Sequence, residues 1–108
     1  MDFTAIAKKV LAAALSVRGV VGADPTRIAS VATYGPGERV PHVAVRPTAT
    51  GFEVEVHLSV RHDAAQSLPE LAQQVREVIR LQLEALGASA ETIDVAFDDV
   101  QIQGEVGT

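Results

Sequence analysis

Residues 52–61 read Phe-Glu-Val-Glu-Val-His-Leu-Ser-Val-Arg, an alternation of apolar and polar side chains sustained over ten positions. A period of two matches a β-strand, whose successive side chains point to opposite faces. Phe52, Val54, Val56, Leu58 and Val60 therefore share a face that must be buried, while Glu53, Glu55, His57, Ser59 and Arg61 share a polar one. Such a strand needs neighbours on its edges and a second layer over its apolar face. Val43 and Val45 supply a shorter partner, and Pro47-Thr48-Ala49-Thr50-Gly51 reads as the loop between two antiparallel strands. A register with Val45 opposite Val54 follows. Pro41 and Pro47 bracket the short strand and place it at an edge, because proline cannot donate to a ladder.

The covering layer comes from two helical patterns. Ser67-Leu68-Pro69-Glu70 is a capping box, with the serine hydroxyl set to accept from the Glu70 amide and the Glu70 side chain set to accept from the serine amide. The spacing predicts a helix from there to Leu86, stopped by Gly87. Leu68, Leu71, Ala72, Val75, Val78, Ile79, Leu83 and Leu86 fall on one face. Gln82 intrudes there and requires a hydrogen-bond partner. Leu81 points the opposite way, among Glu70, Gln74 and Glu77. An earlier helix is predicted over Thr4 to Ser16, where Phe3, Ile6, Val10, Ala13 or Ala14, and Val17 recur at helical spacing before Gly19 and Gly22 end it. A strand from Ile28 to Tyr34 is broken by Gly35-Pro36-Gly37. In the last strand, Ile93 to Ile102, Ile93, Val95 and Phe97 keep one parity, and Val100 and Ile102 keep the other. A β-bulge at Asp98-Asp99 reconciles them.

The order α-β-β-β-α-β specifies an α+β domain with a mixed, mostly antiparallel sheet and both helices packed on one face. The crossover through the second helix lays the last strand parallel to a strand of the meander. The opposite sheet face, with Glu53, Glu55 and His57, stays partly open. At 108 residues the chain is expected to be one domain over 1–108, with a core of about 3–102 and a short polar tail at 103–108. The absence of cysteine excludes disulfides, thiolate nucleophiles and cysteine-bound zinc. A net charge of −5 opposes a nucleic-acid surface. The apolar run Val10 to Leu15 is far shorter than the ~20 residues of a membrane span. Asp2 also stands where a secretory leader carries positive charge, so a cytoplasmic location is expected.

Candidate chemistry is sparse. In the register above His42 and His57 become cross-strand neighbours near Glu55, and two imidazoles with a carboxylate are a possible metal-ligand set. The plainer reading is a polar sheet face, and no metal or other cofactor is assigned. Neither Asp98-Asp99 nor Glu53 with Glu55 offers the contrasting environments that general acid–base catalysis requires. Glu53 and Glu55, flanked by Arg46 and Arg61, read as a solvated charge ladder. Gly19-Val20-Val21-Gly22 matches in form the GxxG loop of KH RNA-binding domains, but its apolar interior and the following Asp24 oppose contact with phosphate.

Taken together, several blocks resemble the alkaline shock protein family of Gram-positive bacteria and relatives. They are Gly19-Val20-x-Gly22 after an apolar helix, the Val54–Val60 strand, Leu71-Ala72-x-x-Val75-Arg76-x-Val78, and Ile93-Asp94-Val95-x-Phe97-x-Asp99-Val100. The resemblance covers Val10 to Ile102. Asp94 stands where the family usually has asparagine, and Arg61-His62-Asp63 where Tyr-Gly is common. The resemblance implies a non-enzymatic protein of cell-envelope homeostasis and stress response, without catalytic residues. It would lie at the membrane by binding a membrane-anchored relative, and could self-associate. Docking candidates are Leu81 with Gln74 and Glu77, and the Val43–Val45 edge. Two alternatives are a metal- or small-ligand-binding sensor at His42, Glu55 and His57, and an RNA-binding domain at Gly19–Gly22.

Overall fold

The computed structural model describes residues 2–22, 31–62 and 66–102. Along the chain lie α1 (Phe3–Leu15), β1 (Val20–Gly22), β2 (Ala32–Gly35), β3 (Glu38–Pro41), β4 (Val43–Pro47), β5 (Phe52–His62), α2 (Leu68–Ala85) and β6 (Ile93–Ile102). The fold is α+β, as the patterning requires, and β5 is its organising strand. β4 pairs antiparallel with its first half, with Val45 opposite Val54, and β1 pairs antiparallel with its second half, with Val20 opposite Val60. β6 runs parallel along the other edge. Phe97 lies opposite Leu58 and Asp99 opposite Ser59, so Asp98 is the extra residue of the expected bulge.

The apolar face of β5 is buried throughout, packed with Ile6, Val10 and Ala14 of α1 and Leu71, Val75, Ile79 and Leu83 of α2. Asp2 caps α1 by accepting from the amides of Thr4 and Ala5. Ser67 caps α2 by accepting from Glu70 N–H at 3.2 Å, which is the serine half of the expected capping box. At the far end, Gly87 N–H donates to Glu84 O and Ala88 N–H to Leu83 O, with Gly87 at φ +73°. That pair of bonds is a Schellman motif, and Ala88 packs against the core behind it. Leu86 sits at the cap, turns out of the predicted apolar face and is 46 % exposed.

Two strands lie beyond those expected. Gly19–Gly22, expected only to end a helix, enters β1, where Gly19 O accepts from Arg61 N–H at 2.7 Å. Glu38–Pro41 forms β3, which pairs with β2 as a hairpin around Pro36-Gly37. Of the strand expected over Ile28–Tyr34, residues 28–30 lie outside the described residues, and its end is β2. α1 packs against this hairpin: Gly35 lies against Thr4, and Lys8 pairs with Glu38. No helix among the described residues is long and apolar enough to cross a membrane.

Candidate functional site

The polar face of β5 carries a chain of ion pairs. Arg46, opposite Glu53 in the β4–β5 register, donates through Nε to Glu53 at 3.2 Å and through Nη2 to Glu55 at 2.5 Å. Glu55 and His57 share this face two residues apart, and Glu55 Oε2 lies 2.5 Å from His57 Nε2. On the other side Nδ1 lies 2.9 and 3.0 Å from the two oxygens of Asp98. Asp98 follows Ala96, the β6 partner of His57, by two residues and so lies on the same face. A neutral imidazole has one N–H to donate, so a ring between two carboxylates suits the imidazolium. Burial, the largest single influence on His57, lowers its pKa, but the hydrogen bonds to Glu55 and Asp98 outweigh it and the net shift is upward. The Glu55 carboxyl is held below its ordinary value by His57 first and Arg46 second.

This network consumes the groups that a ligand site would need. The His42 and His57 main chains are neighbours, with His57 N–H donating to His42 O at 2.8 Å. His42 adopts φ +72° and is 7 % exposed, whereas Glu55 is engaged by Arg46 and by His57. Among the described residues, no three histidine or acidic side chains converge as metal ligands do. Of the cations flanking the acidic pair, Arg46 binds both carboxylates; among the described residues Arg61 joins neither.

The proposed docking positions separate. Leu81 is 52 % exposed. Gln74 accepts from Gln66 at 2.8 Å, and Glu77 pairs with Arg80, which also holds Glu84. The Val43–Val45 edge is not available in the way the prolines suggest. Both valines are buried, and the Thr33 hydroxyl donates to Val43 O at 2.7 Å while accepting from Val45 N–H at 3.0 Å. One side chain from β2 thus seals the outer edge of β4.

The opposite edge of the sheet is the open one. Val54 lies opposite Ile93 and donates to Thr92 O at 2.9 Å. In a parallel ladder a residue bonds to the two neighbours of its partner, so Ile93, Val95 and Phe97 turn their backbone groups away from β5. Among the described residues no strand pairs with that side of β6. Arg76 of α2 reaches the Ile93 carbonyl at 3.2 Å and starts a cleft of about 350 Å³ between α2 and residues 88–93. A second cleft, of about 320 Å³, lies where β1, the end of β5 and the start of α2 meet, with Arg18 and Arg61 on its wall. Neither feature is legible from periodicity, because each depends on which strands become neighbours. The chain matches no protein-family model, no curated protein and no solved structure.

Proposed function

We propose that this chain is a non-enzymatic protein-interaction domain whose partner adds a strand to the outer edge of β6. The resemblance to the alkaline shock protein family supplies the setting: envelope stress response, with the membrane reached through a membrane-anchored partner. The carrying observation is the ten-residue β6, paired on one side only among the described residues. An unpaired edge of that length is a template for another strand, with backbone bonds supplying affinity.

Charge selects the kind of partner. β6 carries Asp94, Asp98 and Asp99 and no cation. Pairing β6 with a second β6 crowds these carboxylates, whereas a basic, alternating strand matches them. The acidic edge therefore favours a different protein over a second copy. The closed β4 edge cannot compete, and Leu81 lies on the exposed surface of α2 away from these backbone groups.

Hydrogen exchange with a capped peptide of alternating lysine and valine tests the docking mode. The outward amides of Val95 and Phe97 slow on binding, while those of Asp94 and Ala96 change little. Val95→Pro removes one outward donor and abolishes protection at Phe97, and Leu81→Glu leaves it intact. Unchanged exchange at both outward amides overturns the reading. For the setting, wild-type protein retains a membrane-anchored protein from membrane fractions that Val95→Pro does not; recovery of none refutes the envelope role.

A further inference from the structure

We propose that the cleft between Arg18, Arg61 and the start of α2 binds a small organic anion, a phosphate or carboxylate carried on an apolar body. The chain has nine Lys and Arg residues against fourteen Asp and Glu. Even so, Arg18, Arg61 and His62 gather in this cleft, and no carboxylate lines it among the described residues. Three cations elsewhere are matched: Lys8 by Glu38, Arg46 by Glu53 and Glu55, and Arg80 by Glu77 and Glu84. Arg39 lies over the Tyr34 ring, and Arg76 donates to Ile93 O and Gln73. Among the described residues, Arg18 and Arg61 make no ion pair. Two like charges placed together without a counter-charge repel, and an anion between them relieves that repulsion.

The convergence is built by the backbone. Arg61 N–H donates to Gly19 O at 2.7 Å, which fixes the residue after Arg18 against Arg61 itself. Gly19 takes φ +101°, and a Cβ there would lie 3.5 Å from the Leu71 side chain, so the turn sits closely on α2. Gln66 and Gln74, hydrogen-bonded to each other, line the rim. With Gln66 Nε2 donating to Gln74 Oε1, the Gln74 amide keeps its own donors for a ligand. The positive end of the α2 dipole adds to the field.

The floor sets the rest of the ligand. Leu68 and Leu71 line the cleft, and its volume of about 320 Å³ is at the lower end of the ~300–1,000 Å³ typical of small-molecule sites. An oxyanion between the guanidiniums, with a ring or short alkyl chain over the leucines, satisfies both parts. Arginine forks bind both carboxylate and phosphate in bidentate fashion. A long polyanion fits worse, because beyond the cleft it meets a protein of net charge −5.

Calorimetry and amide chemical shifts on the full chain test this with phenyl phosphate, benzoate, inorganic phosphate and a short oligouridylate. Phenyl phosphate or benzoate is expected to bind saturably, more tightly than inorganic phosphate, shifting the Gly19 and Leu71 amides. Losing one charge-assisted contact in Arg18→Gln or Arg61→Gln weakens binding about tenfold or more, while Lys9→Gln on α1 leaves it unchanged. Both arginines are exposed, and unchanged thermal midpoints verify that the variants fold. No saturable binding of either organic anion overturns the proposal, as does an affinity unchanged from wild type in both arginine variants. Saturable binding of oligouridylate without either organic anion overturns the ligand class.

Discussion

The guanidinium of Arg76 donates through Nε to the carbonyl of Ile93 at 3.2 Å, tying the middle of α2 to the first residue of β6. Ile93 turns that carbonyl away from β5, so Arg76 closes the start of an edge that otherwise stands open. The bond is partly buried and charged, and such bonds contribute about 1.5–3 kcal/mol. Arg76→Leu keeps the aliphatic stem and removes the donor, and should lower unfolding stability by about 1–2 kcal/mol in urea denaturation. Faster hydrogen exchange should be confined to the N-terminal half of β6.

The His57 network gives stability a defined pH window. The folded-state pKa of His57 is raised above 6.5, so its contribution is fully present below the unfolded value and is lost as pH rises through the folded one. The folded-state pKa of Glu55 is lowered below 4.5, so its contribution is present above that value and is lost as pH falls through the folded one. The two together make the network strongest between about pH 4.5 and 6.5. Urea midpoints should therefore fall from about pH 6 to about pH 8 in wild type. His57→Gln keeps a polar group without the titration and should flatten that limb. An equal slope in both proteins contradicts the assignment.

Thr33 protects an edge with one hydroxyl. Thr33→Val preserves shape but leaves Val43 O and Val45 N–H without the partner that joins them. Unpaired buried backbone groups cost about 1–3 kcal/mol, and the variant should lose stability in that range. It should also expose β4 to pairing between molecules, read by light scattering as concentration-dependent association absent from wild type.

Residue patterning carried much of this fold, and the divide follows the range of the forces involved. The β5 alternation, the Val45–Val54 register, the Ser67 cap and the Asp98 bulge are all written in neighbouring side chains. β1 is three residues with a glycine at its end, too short to show a period. It is a strand only because the end of β5 offers it an edge. Glu38–Pro41 likewise has no alternation strong enough to reveal a partner. The same divide runs through the sites. Glu55 beside His57 is a consequence of i, i+2 spacing, but Asp98 arrives from β6, where it depends on the pairing of His57 with Ala96. The proline brackets correctly mark β4 as peripheral, whereas the sealing hydroxyl comes from Thr33 in a segment whose role depends on tertiary packing. Leu86 satisfies helical spacing and is exposed because the cap geometry begins there.

The contact between α1 and the β2–β3 hairpin depends on a missing side chain. A Cβ on Gly35 would lie 2.7 Å from Thr4 Cγ2 and 3.2 Å from Thr4 Oγ1, closer than packed atoms allow. Thr4 cannot simply rotate aside, because it is buried and its hydroxyl donates to the Asp2 cap at 2.6 Å. Gly35→Ala should therefore cost about 1–3 kcal/mol, the range for overpacking. Thr4→Ser removes the nearer methyl and keeps the hydroxyl. The double variant Thr4→Ser/Gly35→Ala should thus be more stable than the sum of the two single changes predicts, with a coupling of at least about 0.5 kcal/mol in a double-mutant cycle. Strict additivity places the cost of Gly35→Ala elsewhere in the hairpin and removes Thr4 as its cause.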